Sequence, residues 1–363
     1  MKDFLPDLTR IIQSNCDISD ARDNGIYSLC ILVLKLRNLY KWENHIEPWD
    51  ESDSAVVLNW IEEREACWEK IGTQEYHPYI LNGKSIDPFD TARMNEKLKL
   101  TNLFYGAGYG RSLKALFFLG EIIAKREVAG RPVIILGRET ARELASPFAM
   151  VQDGQVIVRR DPMRFFFWDR LQEAEPSAKA PLLYALELHG LLDQQGKLDR
   201  KLLKANLDIL VDQEMEAIIR HEIGEMQNLA LTSQTLSKIA ADFPDSLIEF
   251  VARAVKDILA DTHESGRLSY IITEEKEASL AFYVAFLDGL RKHLFPEISQ
   301  AFSVFRQDKN WRQLRAACQE GRVNNTIRAE KITLLINETA DPAIIKTRVE
   351  SEILAPIIIN HIS

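Results

Sequence analysis

The chain has 363 residues, 46% of them hydrophobic and 27% charged, which is enough apolar material for a sizeable core and too much for a disordered tail. With 54 acidic residues against 45 basic ones the net charge is -9, an argument against generic duplex DNA binding that leaves room for a local basic pocket. Lys2, Asp3, Asp7 and Arg10 stand in the first turns with no uninterrupted apolar region and small-residue cleavage site after them, and no apolar run approaches the roughly 18 residues of a membrane span, so no secretory signal and a soluble, cytoplasmic protein without membrane contact are expected.

From residue 4 to about 125, apolar periodicity predicts helices, chiefly over 26–40, 55–71 and 113–124, separated by Pro48, Pro78, Asn82-Gly83 and Pro88. Gly106, Gly108 and Gly110 stand just before the third of these. Alternate glycines at a helix start can cradle a phosphate, but their spacing is not G-x-G-x-x-G, and a flexible turn between helices is expected. Cys16, Cys30, Cys67 and Cys318 lack the paired spacing of a zinc or redox site and are read as reduced thiols.

Between about 131 and 160 the period changes. Short β-rich runs at 133–136, 148–152 and 155–159, the last two flanking Asp153-Gly154, predict a small antiparallel sheet. Arg138, Arg142, Arg159, Arg160 and Arg164 form a candidate anion-binding group. The rings of Phe165, Phe166, Phe167 and Trp168 are expected to plug the gap between sheet and helices and leave these arginines outside, which makes single-strand nucleic acid a poor fit.

Two prolines bracket the small residues of 176–181, so the chain divides into an N-terminal helical domain with the hairpin sheet (1–175) and a C-terminal helical domain (176–363). Helical patterns at 181–193, 199–231, 244–263, 274–293 and 308–320 suggest a bundle; 331–337 is open between strand and helix. Asp288, ending the apolar run 278–287, reads as a solvated helix end. The fold class expected is mainly α with a small antiparallel β-sheet and a bundle-like C-terminal half.

One helical stretch, 202–230, places ionisable groups where an amphipathic helix should be apolar. Leu207, Val211, Ile218 and Leu229 share a face, and Glu214, His221, Glu222 and Glu225 fall in or beside it. Carboxylates in a core need a partner, a proton or a metal. His221 and Glu225, one turn apart, can converge on a single ion, with Glu214, His189 and Asp261 completing the ligand set and Asp257 and Glu264 on the same edge as Asp261. Such mixed imidazole and carboxylate ligands suit a divalent transition metal such as zinc, manganese or iron.

His221-Glu222-Ile223-Gly224 looks like the start of a zinc-protease helix, in which a second histidine stands where this chain has Glu225. The order His189, His221-Glu222, then Asp257 or Asp261 is similar to helical metal-dependent phosphohydrolases of the His-Asp type, which carry aspartate where Glu222 stands. Neither pattern is complete. Two functions are therefore expected side by side: a metal-dependent hydrolase with Glu222 or Glu214 as base, and a non-catalytic helical interaction protein whose buried polar network fixes its packing. A protein partner and self-association are both left open.

Overall fold

The run Ala115-Leu116-Phe117-Phe118-Leu119, apolar without a break, is buried at every position. In a strand that requires cover on both faces, since successive side chains point to opposite sides. The computed structural model, which describes residues 4–81, 83–172, 178–227, 230–287 and 289–354, shows that cover. The expected features at Asn82, 175–177, Leu229 and Asp288 lie outside the described residues. The chain divides into two units, Met1–Arg170 and Leu171–Ser363.

The first unit begins with α1 (Phe4–Asp23), α2 (Leu29–Glu43) and α3 (Ser54–Ile71). A two-stranded hairpin, β1 (Tyr79–Leu81) with β2 (Lys84–Ile86), and α4 (Thr91–Leu98) follow. Next come β3 (Leu103–Tyr109), β4 (Ala115–Val128), β5 (Arg131–Arg142), β6 (Ala149–Gln152) and β7 (Gln155–Arg159), which form one sheet in the order β3-β4-β5-β7-β6. On one face Tyr105, Phe117, Leu119 and Ala141 pack with Leu8, Ile12 and Cys16 of α1 and Met94 of α4; on the other, Phe104, Phe118, Ile134, Leu136 and Ile157 cluster together.

This sheet corrects two expectations. The helix expected over 113–124 is β4, because a strand buried on both faces loses the alternation that would have betrayed it. The small antiparallel sheet is a five-stranded mixed one: β5 runs parallel to β7, while the other neighbours are antiparallel. The Asp153-Gly154 turn joins β6 to β7, with φ of 51° and 77° at its two residues, the left-handed pair that suits a tight hairpin. Gly106 is no helix-start turn either. It lies in β3 opposite Phe118, and a methyl at that position would overlap the Phe118 ring.

α5 (Arg160–Gln172) leaves the end of β7 with Phe165, Phe167 and Trp168 buried. The arginines beside them are not all outside. Arg159 is 0% exposed and Arg142 3%. Arg159 is matched by charge: its Nη1 donates to Glu143 Oε1 at 2.9 Å and its Nη2 to Glu139 Oε2 at 3.2 Å, and it lies 4.1 Å from the centre of the Phe118 ring. Lys114 and Asp20, each 1% exposed, make a second buried pair at 2.9 Å.

The second unit is helical: α6 (Lys179–Leu188), α7 (Arg200–Gln227), α8 (Ser233–Asp242), α9 (Leu247–Asp261), α10 (Arg267–Thr273), α11 (Glu277–Ala285), α12 (Gly289–Leu294), α13 (Pro296–Asp308), α14 (Trp311–Glu338) and α15 (Pro342–Arg348), ending in a π-helical turn at Val349–Leu354. The open stretch 331–337 belongs to α14. α7 packs on α9 and α10, α6 on α11, and α14 on α9 and α13. Among the described residues no helix is long and apolar enough to cross a membrane.

Candidate metal centre

The α7–α9 contact is closer than side chains would allow. A methyl on Gly224 would overlap the Ala260 carbonyl oxygen, so glycine lets the two backbones meet here. His221 and Glu225 flank that contact on α7, Asp257 and Asp261 on α9. Each pair is one turn apart and shares a face. Gly224→Ala is expected to cost about 1–3 kcal/mol through overpacking and to part His221 from Asp261. An unchanged denaturation midpoint in that variant would show that the backbone approach does not hold the two helices.

His221 Nδ1 and Asp261 Oδ1 are 2.7 Å apart, and His221 Nε2 lies 3.4 Å from Glu225 Oε1. Asp261 is fully buried, while the side chains of His221 and Glu225 are each 20% exposed. Lys256 pairs with the other Glu225 oxygen at 2.5 Å. One candidate ligand atom from each of His221, Glu225 and Asp257 lies within 4.8 Å of the others.

Burial alone would lower the His221 pKa, but the Asp261 carboxylate and, after it, Glu225 raise it well above the usual imidazole range. Burial would raise Asp261, yet the His221 charge holds it below the ordinary range. Glu225 follows the same logic: its hydrogen bond with His221 and the Lys256 charge outweigh burial and bring it to about 2. Glu222 and Asp257 go the other way. Burial, aided by the Glu225 charge, lifts Glu222 to about 7, and burial also lifts Asp257. The site thus sets carboxylates of lowered and of raised proton affinity around one imidazole, a pattern common to functional sites and to structural ion networks.

The structure brings His221, Glu222, Glu225 and Asp261 of the expected residues together, along with Asp257, the alternative to Asp261 on the same helix edge. Glu214 points elsewhere, accepting a 2.7 Å hydrogen bond from Ser279 on α11, with its pKa raised by burial. His189 ends α6 with its ring stacked on Phe282 at 5.3 Å, and burial lowers its pKa. Among the described residues neither joins the three-ligand group. Asp257 carried a legible signal, its one-turn spacing from Asp261, but nothing in sequence says which of two such carboxylates meets the imidazole nitrogen.

The arginines of the anion group scatter. Arg138 is exposed on β5, Arg142 and Arg159 are buried, Arg160 opens α5, and Arg164 pairs with Glu47 at 2.7 Å.

A family model described as the N-terminal domain of a family of unknown function, DUF6866, matches residues 7–159, and the model of that family's C-terminal domain matches residues 164–354. No curated protein and no solved structure compared with the chain matches it.

Proposed function

Since the chain belongs to the DUF6866 family, whose description assigns no activity, its chemistry must come from its own side chains, and we propose that the second unit binds a divalent transition metal. His221 Nε2, Glu225 and Asp257 are the ligands. The observation that carries this reading is the 2.7 Å bond between Asp261 and His221 Nδ1, which leaves Nε2 facing Glu225 Oε1, 3.4 Å away, in the group that also holds Asp257. A carboxylate on the far nitrogen of a ligating histidine is the usual outer-shell partner: it fixes the tautomer and raises the basicity of the ligating nitrogen. Asp261 is thus an orienting group here rather than a ligand.

The reaction class that fits is metal-assisted hydrolysis. A bound metal lowers the pKa of its water, and Glu222, beside His221, is the group to accept the proton. Protein purified without chelator is expected to carry about one equivalent of zinc, manganese or iron, lost in His221→Ala and Asp257→Ala and weakened by about 10–100-fold in Asp261→Ala. Glu222→Gln should keep metal and fold while abolishing turnover of phosphoester, ester or peptide substrates. If elemental analysis finds none of these metals and none raises the melting temperature, the metal reading fails.

A second reading has its own support. Lys256 on Glu225 and a charged His221 between Asp261 and Glu225 also make a compensated ion network, such as fixes packing in a non-catalytic interaction protein. Wild type and Glu222→Gln equally inactive, with no bound metal, would favour it.

A further inference from the structure

The first unit carries a groove of about 660 Å³ between α1, α3 and β5, and another of about 420 Å³ beside α5; Trp42, His45, Arg138 and Glu139 line both. Most charges on these walls are matched. Arg64 holds Asp17 and Glu43, Arg164 holds Glu47, and Glu139 turns inward to Arg159. Arg138 is the exception: no carboxylate among the described residues lies within ion-pair distance of it. Its Nη2 donates to His45 Nε2 at 3.3 Å, since a guanidinium has no lone pair to offer.

Two further observations single out this junction. Arg142, 3% exposed, lies with its guanidinium 5.3 Å from the Trp42 ring centre and 5.4 Å from that of Phe165; its Nε and Nη1 have no hydrogen-bond partner, and its contact with Glu139 is stretched to 4.0 Å. Its charge is balanced through space by Glu139, Asp161 and Glu143 rather than by a hydrogen bond from either of those nitrogens. His45 follows α2 with φ of 56°, the left-handed position after a helix where glycine is least strained. Its neighbourhood is pinned there: the amides of His45 and Ile46 donate to the Trp42 and Lys41 carbonyls, and buried Lys41 donates to the Pro48 carbonyl at 2.9 Å. A histidine held where glycine would be easier, against an unmatched arginine, suggests a function for the strain.

We propose that the junction at Arg138 binds the anionic group, carboxylate or phosphate, of a small aromatic molecule whose ring lies along Trp42. Arg138 supplies paired N–H donors of the kind that grip such groups, and His45 positions it. Trp42 and Ile71 supply the apolar wall that pockets for organic ligands need.

Calorimetric titration of the full chain with benzoate, phenyl phosphate and inorganic phosphate tests this. At least one of the two aromatic anions should bind saturably in the millimolar range or tighter, and more strongly than inorganic phosphate; the preference between them tells carboxylate from phosphate. R138Q should weaken that binding about tenfold or more, the size of one lost charge-assisted pair. H45G should weaken it too while leaving the melting temperature unchanged or raised, because glycine relieves the backbone. No saturable binding of either aromatic anion, or undiminished affinity in R138Q or H45G, overturns the proposal.

Discussion

Arg159→Met is expected to destabilise the first unit by about 3–5 kcal/mol, the cost of removing one partner from a buried charge group. Arg159, Glu139 and Glu143 have side chains that are 0% exposed, so neither glutamate can turn to water when the guanidinium goes. Burial works against the arginine's charge and raises the Glu139 pKa; the paired carboxylates more than reverse the first effect, and Arg159 opposes the second. In the variant, Glu139 keeps the penalty with only the Arg142 charge, 4.0 Å away, to offset it. Its stability deficit should shrink as pH falls, since protonation then removes the buried charge. Urea denaturation near neutral pH and near pH 5 measures both effects, and a midpoint within error of wild type at both would sink the account.

Glu222→Gln should stabilise the metal-free protein above pH 7, by about 3 kcal/mol at one pKa unit per 1.36 kcal/mol. The sign follows from the proton. Glu222 holds its proton up to about pH 7 in the folded state but only to the ordinary 4.5 when unfolded. Ionisation therefore costs the folded state nothing below about 4.5, progressively more between 4.5 and 7, and a constant amount above. Glutamine does not titrate, so the gain should vanish near pH 4.5 and level off past 7. His221 runs through the same range in wild type and variant alike: its raised pKa gives stability that is complete below about 6.5 and is lost as pH rises through the raised value. Thermal melts at pH 4.5, 6 and 8 separate the two. A gap that does not widen with pH would remove Glu222 from the buried cluster.

What sequence reveals of this protein depends on whether its periodicity survives burial. α7 is legible because polar groups interrupt an apolar stripe, and the same interruption exposes His221 and Glu225 as unusual. β4 is not, because Phe117 and Phe118 face two different cores and both must be apolar. The glycines before it look like a loop until Phe118 is seen lying over Gly106. Arg159 and Arg164 read alike in sequence, yet Arg159 is buried between two glutamates from β5 and the residues just after it, while Arg164 meets Glu47. Long-range partners of that kind leave no local trace. Which of Asp257 and Asp261 meets the imidazole nitrogen was hidden for the same reason, since it depends on which face of α9 meets Gly224.

The seam between β5 and β7 has no turn to set its alignment. β3, β4 and β5 follow one another antiparallel and β6 is tied to β7 by a tight turn, whereas β5 and β7 run parallel, with Leu136 opposite Arg159. Apolar strands such as Val133-Ile134-Ile135 against Val156-Ile157-Val158 would slide past one another at little cost, one branched side chain replacing another. Arg159 forbids it. Moved by one residue, β7 would carry the guanidinium to the opposite face of the sheet and leave Glu139 and Glu143 without their shared partner in the interior. Three buried charges that add little to stability as a group thus act as a proofreading device, making each neighbouring alignment far worse than the one observed.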